Sequence, residues 1–222
     1  MDHAVDLDRA RLSGARLQLL FTPALVPAGI EPLAVLEAAL PHVDVIQVRI
    51  KDEESASAPS PARELWEWTR RVLELAGDVP VLVNDRVDVA KALLEEGCAG
   101  VHLGQDDQDP EAVRAVLGPD AWIGLSTHNP RQVVRANEMP IDYLGFGPVF
   151  ATTTKDYTRG LGPELAWIAK EASSRPVFAI GGITLENATE LDRVGRVAVS
   201  SAILGADNPG TMAAGLRSAL EL

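Results

Sequence analysis

Eight times between Leu17 and Ser200 the chain runs through a short stretch of Val, Ile, Leu and Ala, breaks into a polar loop, and moves into a helical pattern. Near-continuous apolar strands are what a parallel sheet demands when helices cover it, because neither face meets water. The pattern predicts strands over Leu17–Phe21, Val43–Val48, Val79–Val83, Gly100–Leu103, Trp122–Leu125, Tyr143–Phe146, Val177–Ile180 and Val197–Ser200. It predicts helices near Pro32–Ala39, Ala62–Ala76, Val87–Glu96, Pro110–Leu117, Pro130–Ala136, Pro163–Ser173, Leu185–Leu191 and Pro209–Leu220, several opening on proline or on an Asn-Pro pair that caps the first turn. Repeated βα units within 222 residues imply an α/β, single-domain TIM (β/α)8 barrel. A doubly wound open sheet is the alternative, but the early G-x-G-x-x-G that would favour it is absent. The expected layout is a lead-in segment over residues 1–16 and the barrel over 17–222. The Ser/Pro-rich stretch from Glu53 to Pro61 reads as a flexible strand-to-helix loop.

Composition narrows the function classes. A net charge of −12 repels nucleic acid and anionic membranes on average, so a phosphorylated substrate needs a local basic cluster. Cys98 is the single cysteine, which excludes an intrachain disulfide and a thiolate metal site and leaves a packed, inert thiol. The N-terminal residues include no run of signal-peptide or membrane-span length, so the expectation is a cytoplasmic protein.

In such a barrel the chemistry lies at the C-terminal ends of the strands. The second strand ends in Gln47, Arg49 and Lys51, alternating so that all three point one way. The third delivers Asn84, Asp85 and Arg86; the fourth His102, Gly104, Gln105, Asp106 and Asp107; the fifth Ser126, Thr127 and His128. After the sixth strand, Gly145-Phe-Gly-Pro148 stops the ladder and leads to Thr152, Thr154 and Lys155, hydroxyl and ammonium donors suited to an anion. Gly181-Gly182 follows the seventh strand and Ser200-Ser201 the eighth, the place of the common barrel phosphate site, where a Cβ would keep an anion from the amides.

Arg49, Lys51 and Lys155 thus converge with two carboxylates, Asp85 and Asp107. Cations beside two carboxylates suit a polyphosphate bound through Mg²⁺, a hard ion that takes one or two carboxylates plus phosphate oxygens and water. No His cluster of ligand spacing supports zinc or iron. The competing readings are structural: salt bridges closing the mouth, a tight glycine turn without ligand, and a polar turn at Thr152–Lys155. His102 and His128 read as hydrogen-bonded strand-end residues, and Trp66, Trp68, Trp122 and Trp167 as packing residues. Two anionic sites point to two phosphorylated substrates, or to one with phosphate at both ends.

Seven stretches resemble the thiamine-phosphate synthase family. They are Gln47-Val-Arg-Ile-Lys51, Asn84-Asp85-Arg86, Val101-His-Leu-Gly-Gln-Asp-Asp107, Gly124-Leu-Ser-Thr-His-Asn129, Gly145-Phe-Gly-Pro-Val-Phe-Ala-Thr-Thr-Thr-Lys155, Ala179-Ile-Gly-Gly-Ile183 and Val199-Ser-Ser-Ala-Ile203. They fall in family order over nearly the whole chain. Ala151, where the family often has Pro, and Ser200, where Val or Ile is usual, depart from the pattern. The resemblance implies that Gln47, Arg49, Lys51, Asn84, Ser126 and Lys155 hold an aminopyrimidine diphosphate, with Arg49, Lys51 and Lys155 acting on the departing diphosphate. It implies that Asp85 and Asp107 coordinate Mg²⁺, and that Thr152, Thr153, Thr154, Gly182, Ser200 and Ser201 hold a thiazole phosphate.

The reaction so implied is a dissociative alkyl transfer, in which the CH₂–O bond to the diphosphate breaks and the thiazole nitrogen captures the pyrimidine-stabilised cation. Expected partners are small phosphorylated molecules, with neither nucleic acid nor membrane; the oligomeric state, a homo-oligomer included, is left open. The rivals are a related thiazole tautomerase, which needs no diphosphate or metal, and a barrel that binds thiamine intermediates without turning them over.

Overall fold

The computed structural model describes residues 9–50, 61–151 and 159–220. Strands β1 (Leu17–Phe21), β2 (Val45–Val48), β3 (Val81–Asn84), β4 (Gly100–Leu103), β5 (Trp122–Thr127), β6 (Tyr143–Phe146), β7 (Val177–Ile180) and β8 (Val197–Val199) pair in chain order into a closed barrel, β8 returning to β1. All the pairings are parallel, from Leu19 opposite Ile46 round to Leu19 opposite Val199.

The two-residue period of a strand separates two cores. Leu19, Ile46, Val83, Val101, Ile123, Leu144, Ala179 and Val199 join the layer under the helices, whereas Val45, Leu82, Trp122, Tyr143, Phe178 and Ala198 fill the barrel interior. Residues 9–14 are helical and bring Leu12 and Ala15 into that interior cluster.

Helices α1 (Pro32–Ala39), α2 (Pro61–Ala76), α3 (Val87–Leu93), α4 (Pro110–Leu117), α5 (Pro130–Ala136), α6 (Pro163–Ala172), α7 (Ser201–Leu204) and α8 (Pro209–Ala219) surround the strands. The Asn-Pro pairs act as the sequence predicts: Asn129 accepts from the Gln132 amide and Asn208 from the Thr211 amide, satisfying N–H groups that a first turn leaves without partners. The Glu53–Pro61 loop assignment falls almost wholly on residues outside the described ones.

Several assignments change: β2 and β3 begin two residues later than expected, β5 runs on to Thr127 and β8 stops at Val199. The helix expected over Leu185–Leu191 is only a 3₁₀ turn, Ala188–Leu191. Asn187 explains this, because its side chain accepts from Thr184 N at 2.9 Å and donates to Gly182 O at 3.0 Å, which ties the approach into a turn. The helix expected to reach Glu96 gives way to a 3₁₀ turn over Leu94–Glu96 that ends at Gly97, φ 101°. Ser201, read as loop, opens the short α7.

At the N-terminal end of the barrel, Arg114, half-buried, and Asp142, buried, form an ion pair at 2.7 Å. The same guanidinium donates to the carbonyls of Gly118, Ala121 and Pro140, and Asp142 also accepts from Ile123 N at 2.8 Å. Cys98 is buried, its thiol pushed up to about 11 by desolvation, which fits the inert residue expected. Trp122 packs inside the barrel, and Trp66, Trp68 and Trp167 lie beneath Arg70, Arg71 and Arg193 as packing residues.

Candidate active site

The inward positions above the apolar interior layer are polar. β1 supplies Gln18, β2 Gln47, β3 Asn84, β4 His102, β5 Ser126 and β6 the Tyr143 hydroxyl, all joined by hydrogen bonds of 2.6 to 3.2 Å. Above them, at the C-terminal ends of the strands, opens a cavity of about 270 Å³. Its floor is apolar, with Leu20, Ile180 and Ala198, and its rim carries Arg49, Ser126, His128, Gly181, Gly182, Ser200 and Ser201.

Of the predicted site residues, Arg49, Ser126, Gly182, Ser200 and Ser201 meet at this one cavity. Gln47 is buried beneath it, 3% exposed, and reaches Asn84 through Nε2–H to Oδ1 at 2.6 Å. Asn84 donates in turn to Asp85 Oδ2 at 2.6 Å. Asp85 and Asp107 face each other beyond the ends of β3 and β4, and Asp107 is held by the Gly104 amide at 2.6 Å. Lys51, Thr152, Thr153, Thr154 and Lys155 lie outside the described residues. Arg86, a neighbour of Asp85 in sequence, is engaged with Asp88 at 2.6 Å.

The electrostatics of the carboxylate pair follow from that placement. Desolvation and the facing Asp107 push the Asp85 carboxyl up to about 6, while Arg49 and the Asn84 hydrogen bond pull the other way. Among the described residues Asp85 is also the one non-glycine with positive φ, 61°, a strained conformation held by its amide bonding to His102 O at 2.8 Å. Two negative groups forced together at a strained position fit a divalent cation, and an all-oxygen donor set fits Mg²⁺. Among the described residues no group of three or more His, Cys, Asp or Glu could hold a metal ion.

The glycine pair has a further reason to be glycine. Gly181 and Gly182 take φ of 99° and 63°, and a Cβ on Gly181 would lie 2.6 Å from Pro148 Cβ, one on Gly182 2.9 Å from Phe150 Cβ. The turn after β7 is packed against residues 148–151 as well as open to the cavity.

His128 lines the cavity with Nδ1 at 2.6 Å from Gly147 O; a carbonyl only accepts, so the proton sits on Nδ1. Gln105 Nε2 donates to Ser126 O at 2.6 Å and ties the loop after β4 to β5. Sequence reasoning gave no site role to Gln18, Thr22, Tyr143, Ile180 or Thr184. A glutamine inside the run Leu17-Gln-Leu-Leu-Phe21 was the signal available for Gln18. Thr22 lines the cavity edge with its hydroxyl buried and without a hydrogen-bond partner.

An eight-stranded parallel barrel with a cavity and a carboxylate pair on its C-terminal face defines the class: a (β/α)8 barrel of the enzyme type. A family model described as thiamine monophosphate synthase matches residues 19–203. The chain belongs to that family. A thiamine-phosphate synthase of Haloquadratum walsbyi is 40% identical over 202 residues, covering 87% of this chain and 86% of that protein. One of Anaeromyxobacter dehalogenans is 38% identical over 222 residues, covering 97% and 95%. Among solved structures, thiamine phosphate pyrophosphorylase from Pyrococcus furiosus has a TM-score of 0.77 at 32% identity, covering 96% of this chain and 97% of that one. Tryptophan synthase subunit alpha from Legionella pneumophila, TM-score 0.68 at 15% identity over 98% of each chain, shares the fold alone. These relatives point to a thiamine-biosynthesis transferase.

Proposed function

We propose that this protein is a thiamine-phosphate synthase. It transfers the 4-amino-2-methylpyrimidinylmethyl group from its diphosphate to the nitrogen of hydroxyethylthiazole phosphate, giving thiamine phosphate and diphosphate. Family membership supports the reaction class, and the single observation that carries the detail is the Asp85–Asp107 pair beside the cavity that Arg49 enters. A tautomerase acting on one thiazole has no use for a carboxylate pair with a neighbouring guanidinium.

In this reading Asp85 and Asp107 hold Mg²⁺, which when bound supplies positive charge against the diphosphate as it leaves. Arg49, with Lys51 and Lys155, binds the same diphosphate and offsets the charge that grows as the CH₂–O bond lengthens. Gln47 and Asn84, fixed by their mutual hydrogen bond, orient the aminopyrimidine. Gly182, Ser200 and Ser201, with Thr152, Thr153 and Thr154, hold the thiazole phosphate so that the ring nitrogen faces the breaking bond. The apolar floor of Leu20, Ile180 and Ala198 keeps water from capturing the cation first. No strong base is needed, and catalysis is electrostatics and proximity. Among the described residues no helix is long and apolar enough to cross a membrane.

The test is an endpoint assay with the aminopyrimidine diphosphate, the thiazole phosphate and Mg²⁺, read by mass and repeated with EDTA. Thiamine phosphate that disappears with EDTA is expected. A folded protein that gives none in either condition, or isomerises the thiazole alone, overturns the reading in favour of a tautomerase or a binding protein.

A further inference from the structure

The two sides of the site are joined through the barrel interior by an unbroken line of hydrogen bonds. Asn84 Nδ2 meets Asp85 Oδ2 at 2.6 Å, and Gln47 Nε2 meets Asn84 Oδ1 at 2.6 Å. Gln18 Nε2 lies 3.2 Å from both Gln47 Oε1 and the Tyr143 hydroxyl. The Tyr143 oxygen is 2.8 Å from His102 Nδ1, and His102 Nε2 is 2.9 Å from Ser126 Oγ at the cavity wall.

Such a line runs in one direction only. Asn84 gives its amide nitrogen to Asp85 Oδ2, which leaves its oxygen, an acceptor only, facing Gln47. Each amide passes the orientation on: Gln47 presents nitrogen to Asn84 and oxygen to Gln18, and Gln18 donates to the Tyr143 oxygen. Burial raises the Tyr143 phenol far above its usual range, so it keeps its one proton, which the facing Nδ1 of His102 accepts. An imidazole that accepts at Nδ1 carries its proton at Nε2 and donates to Ser126. The Ser126 oxygen, having accepted, turns its own proton toward the cavity.

The sequence keeps the crossing point open. Gly124 of β5 sits where an added Cβ would lie 2.5 Å from His102 Nδ1 and would overlap the Tyr143 ring, and Gly145 opposes the other edge of the imidazole, its added Cβ 3.4 Å from His102 Cε1. Any larger residue at position 124 would part the two hydrogen-bonded rings.

We propose that Gln18, Tyr143 and His102 are positioning residues that fix the Nε2–H tautomer of His102 and so present Ser126 to the cavity as a hydrogen-bond donor, selecting a ligand group that only accepts, such as a diphosphate oxygen. This rests on the function proposed above for the identity of the ligand and, for the tautomer, on the hydrogen-bond geometry together with a protonated Tyr143 hydroxyl.

The experiment correlates the ring nitrogens and carbon-bound protons of the histidines by long-range ¹H–¹⁵N NMR in the wild type and Tyr143→Phe, with His102→Asn used to assign the peaks. Steady-state kinetics with the aminopyrimidine diphosphate run in parallel. The wild type should show His102 protonated at Nε2 and bare at Nδ1. Tyr143→Phe should move the proton partly or wholly to Nδ1 and raise KM for the diphosphate by about tenfold, the loss of one hydrogen bond to a charged group, with kcat changed less. A wild-type His102 protonated at Nδ1 overturns the proposal without need of any variant. A folded Tyr143→Phe with an unchanged tautomer overturns it too, as does a changed tautomer with an unchanged KM. If His102 shows the expected tautomer but the wild type makes no thiamine phosphate, the functional reading fails and the interior line stands.

Discussion

Asn84 donates its side-chain amide to Asp85 at 2.6 Å, and the residue it restrains is the one non-glycine among those described whose backbone has a positive φ, 61°. Strain of this kind persists only where surrounding bonds fix it. The Asp85 carboxyl, desolvated by burial and facing Asp107, is raised above its ordinary range.

That pairing predicts a pH dependence with a definite sign. The Asp85 carboxyl titrates near 6 in the folded protein against an ordinary 3.8, so between those values the folded state holds the proton that the unfolded state has released. In EDTA the contribution to stability is therefore fully present below the ordinary value and is lost as pH rises through about 6. Asp85→Asn should flatten this slope in thermal melts. Mg²⁺ competes with the same proton, so its dissociation constant, read by calorimetry, should weaken by up to about tenfold per pH unit below 6. A pH-independent Mg²⁺ affinity over this window would remove Asp85 from the metal site.

Turnover should depend on the groups proposed to hold Mg²⁺ and the diphosphate. Asp85→Ala and Lys155→Ala are each expected to lower kcat at least about tenfold, a lower bound set against roughly 3 kcal/mol for one preorganised charge-stabilising group. Near-normal rates at saturating Mg²⁺ in either variant would sink that assignment.

The buried hydroxyl of Thr22 predicts a gain. It has no hydrogen-bond partner and lies at the end of β1, so Thr22→Val removes an unpaired polar group without emptying the site. Urea unfolding should show stabilisation by about 1 kcal/mol. A loss of stability would mean that the hydroxyl is bonded in solution.

Much of this was legible in the sequence, for physical reasons. Strands β1, β4, β6 and β7 fall at their predicted bounds because an apolar run covered on both faces has only one place to stop, where polar residues begin. Arg49, Ser126, Gly182 and the Ser200–Ser201 pair were legible because loops after parallel strands share one face of a barrel. The interior line was not. Gln18 and Tyr143 pair across 125 positions, and nothing local distinguishes a tyrosine whose hydroxyl meets a histidine from one that merely packs. The Leu185–Leu191 helix failed in a related way: apolar spacing favoured it, and a single side chain, Asn187, closed a turn instead.

The ion pair at the opposite end of the barrel separates stability from chemistry. Asp142→Ala would leave the Arg114 guanidinium, only 18% exposed, without its carboxylate, and would also strip the Ile123 amide of its acceptor. Breaking a fully buried pair from one side costs about 3 to 5 kcal/mol, and this half-buried guanidinium keeps its carbonyl acceptors, so the chemical midpoint should fall by less than that figure implies while kcat per folded molecule holds. A parallel loss of kcat in fully folded protein would show that the N-terminal end reaches the site.

Gly182 tests the cavity from the other side. Its φ of 63° is unfavourable for any residue with a Cβ, and an alanine there would press on the Ala151 carbonyl and on Phe150, 2.9 Å away. The left-handed conformation alone costs about 1 to 2 kcal/mol. The overlap adds to it by pushing the turn after β7 away from residues 148–151, of which Pro148 lines the cavity. Gly182→Ala should therefore raise KM for the thiazole phosphate by tenfold or more, about 1.4 kcal/mol of lost binding, while KM for the aminopyrimidine diphosphate moves little, because Arg49 and Ser126 stand on other strands. Equal losses for both substrates would mean that the turn supports the whole mouth and not the thiazole side alone.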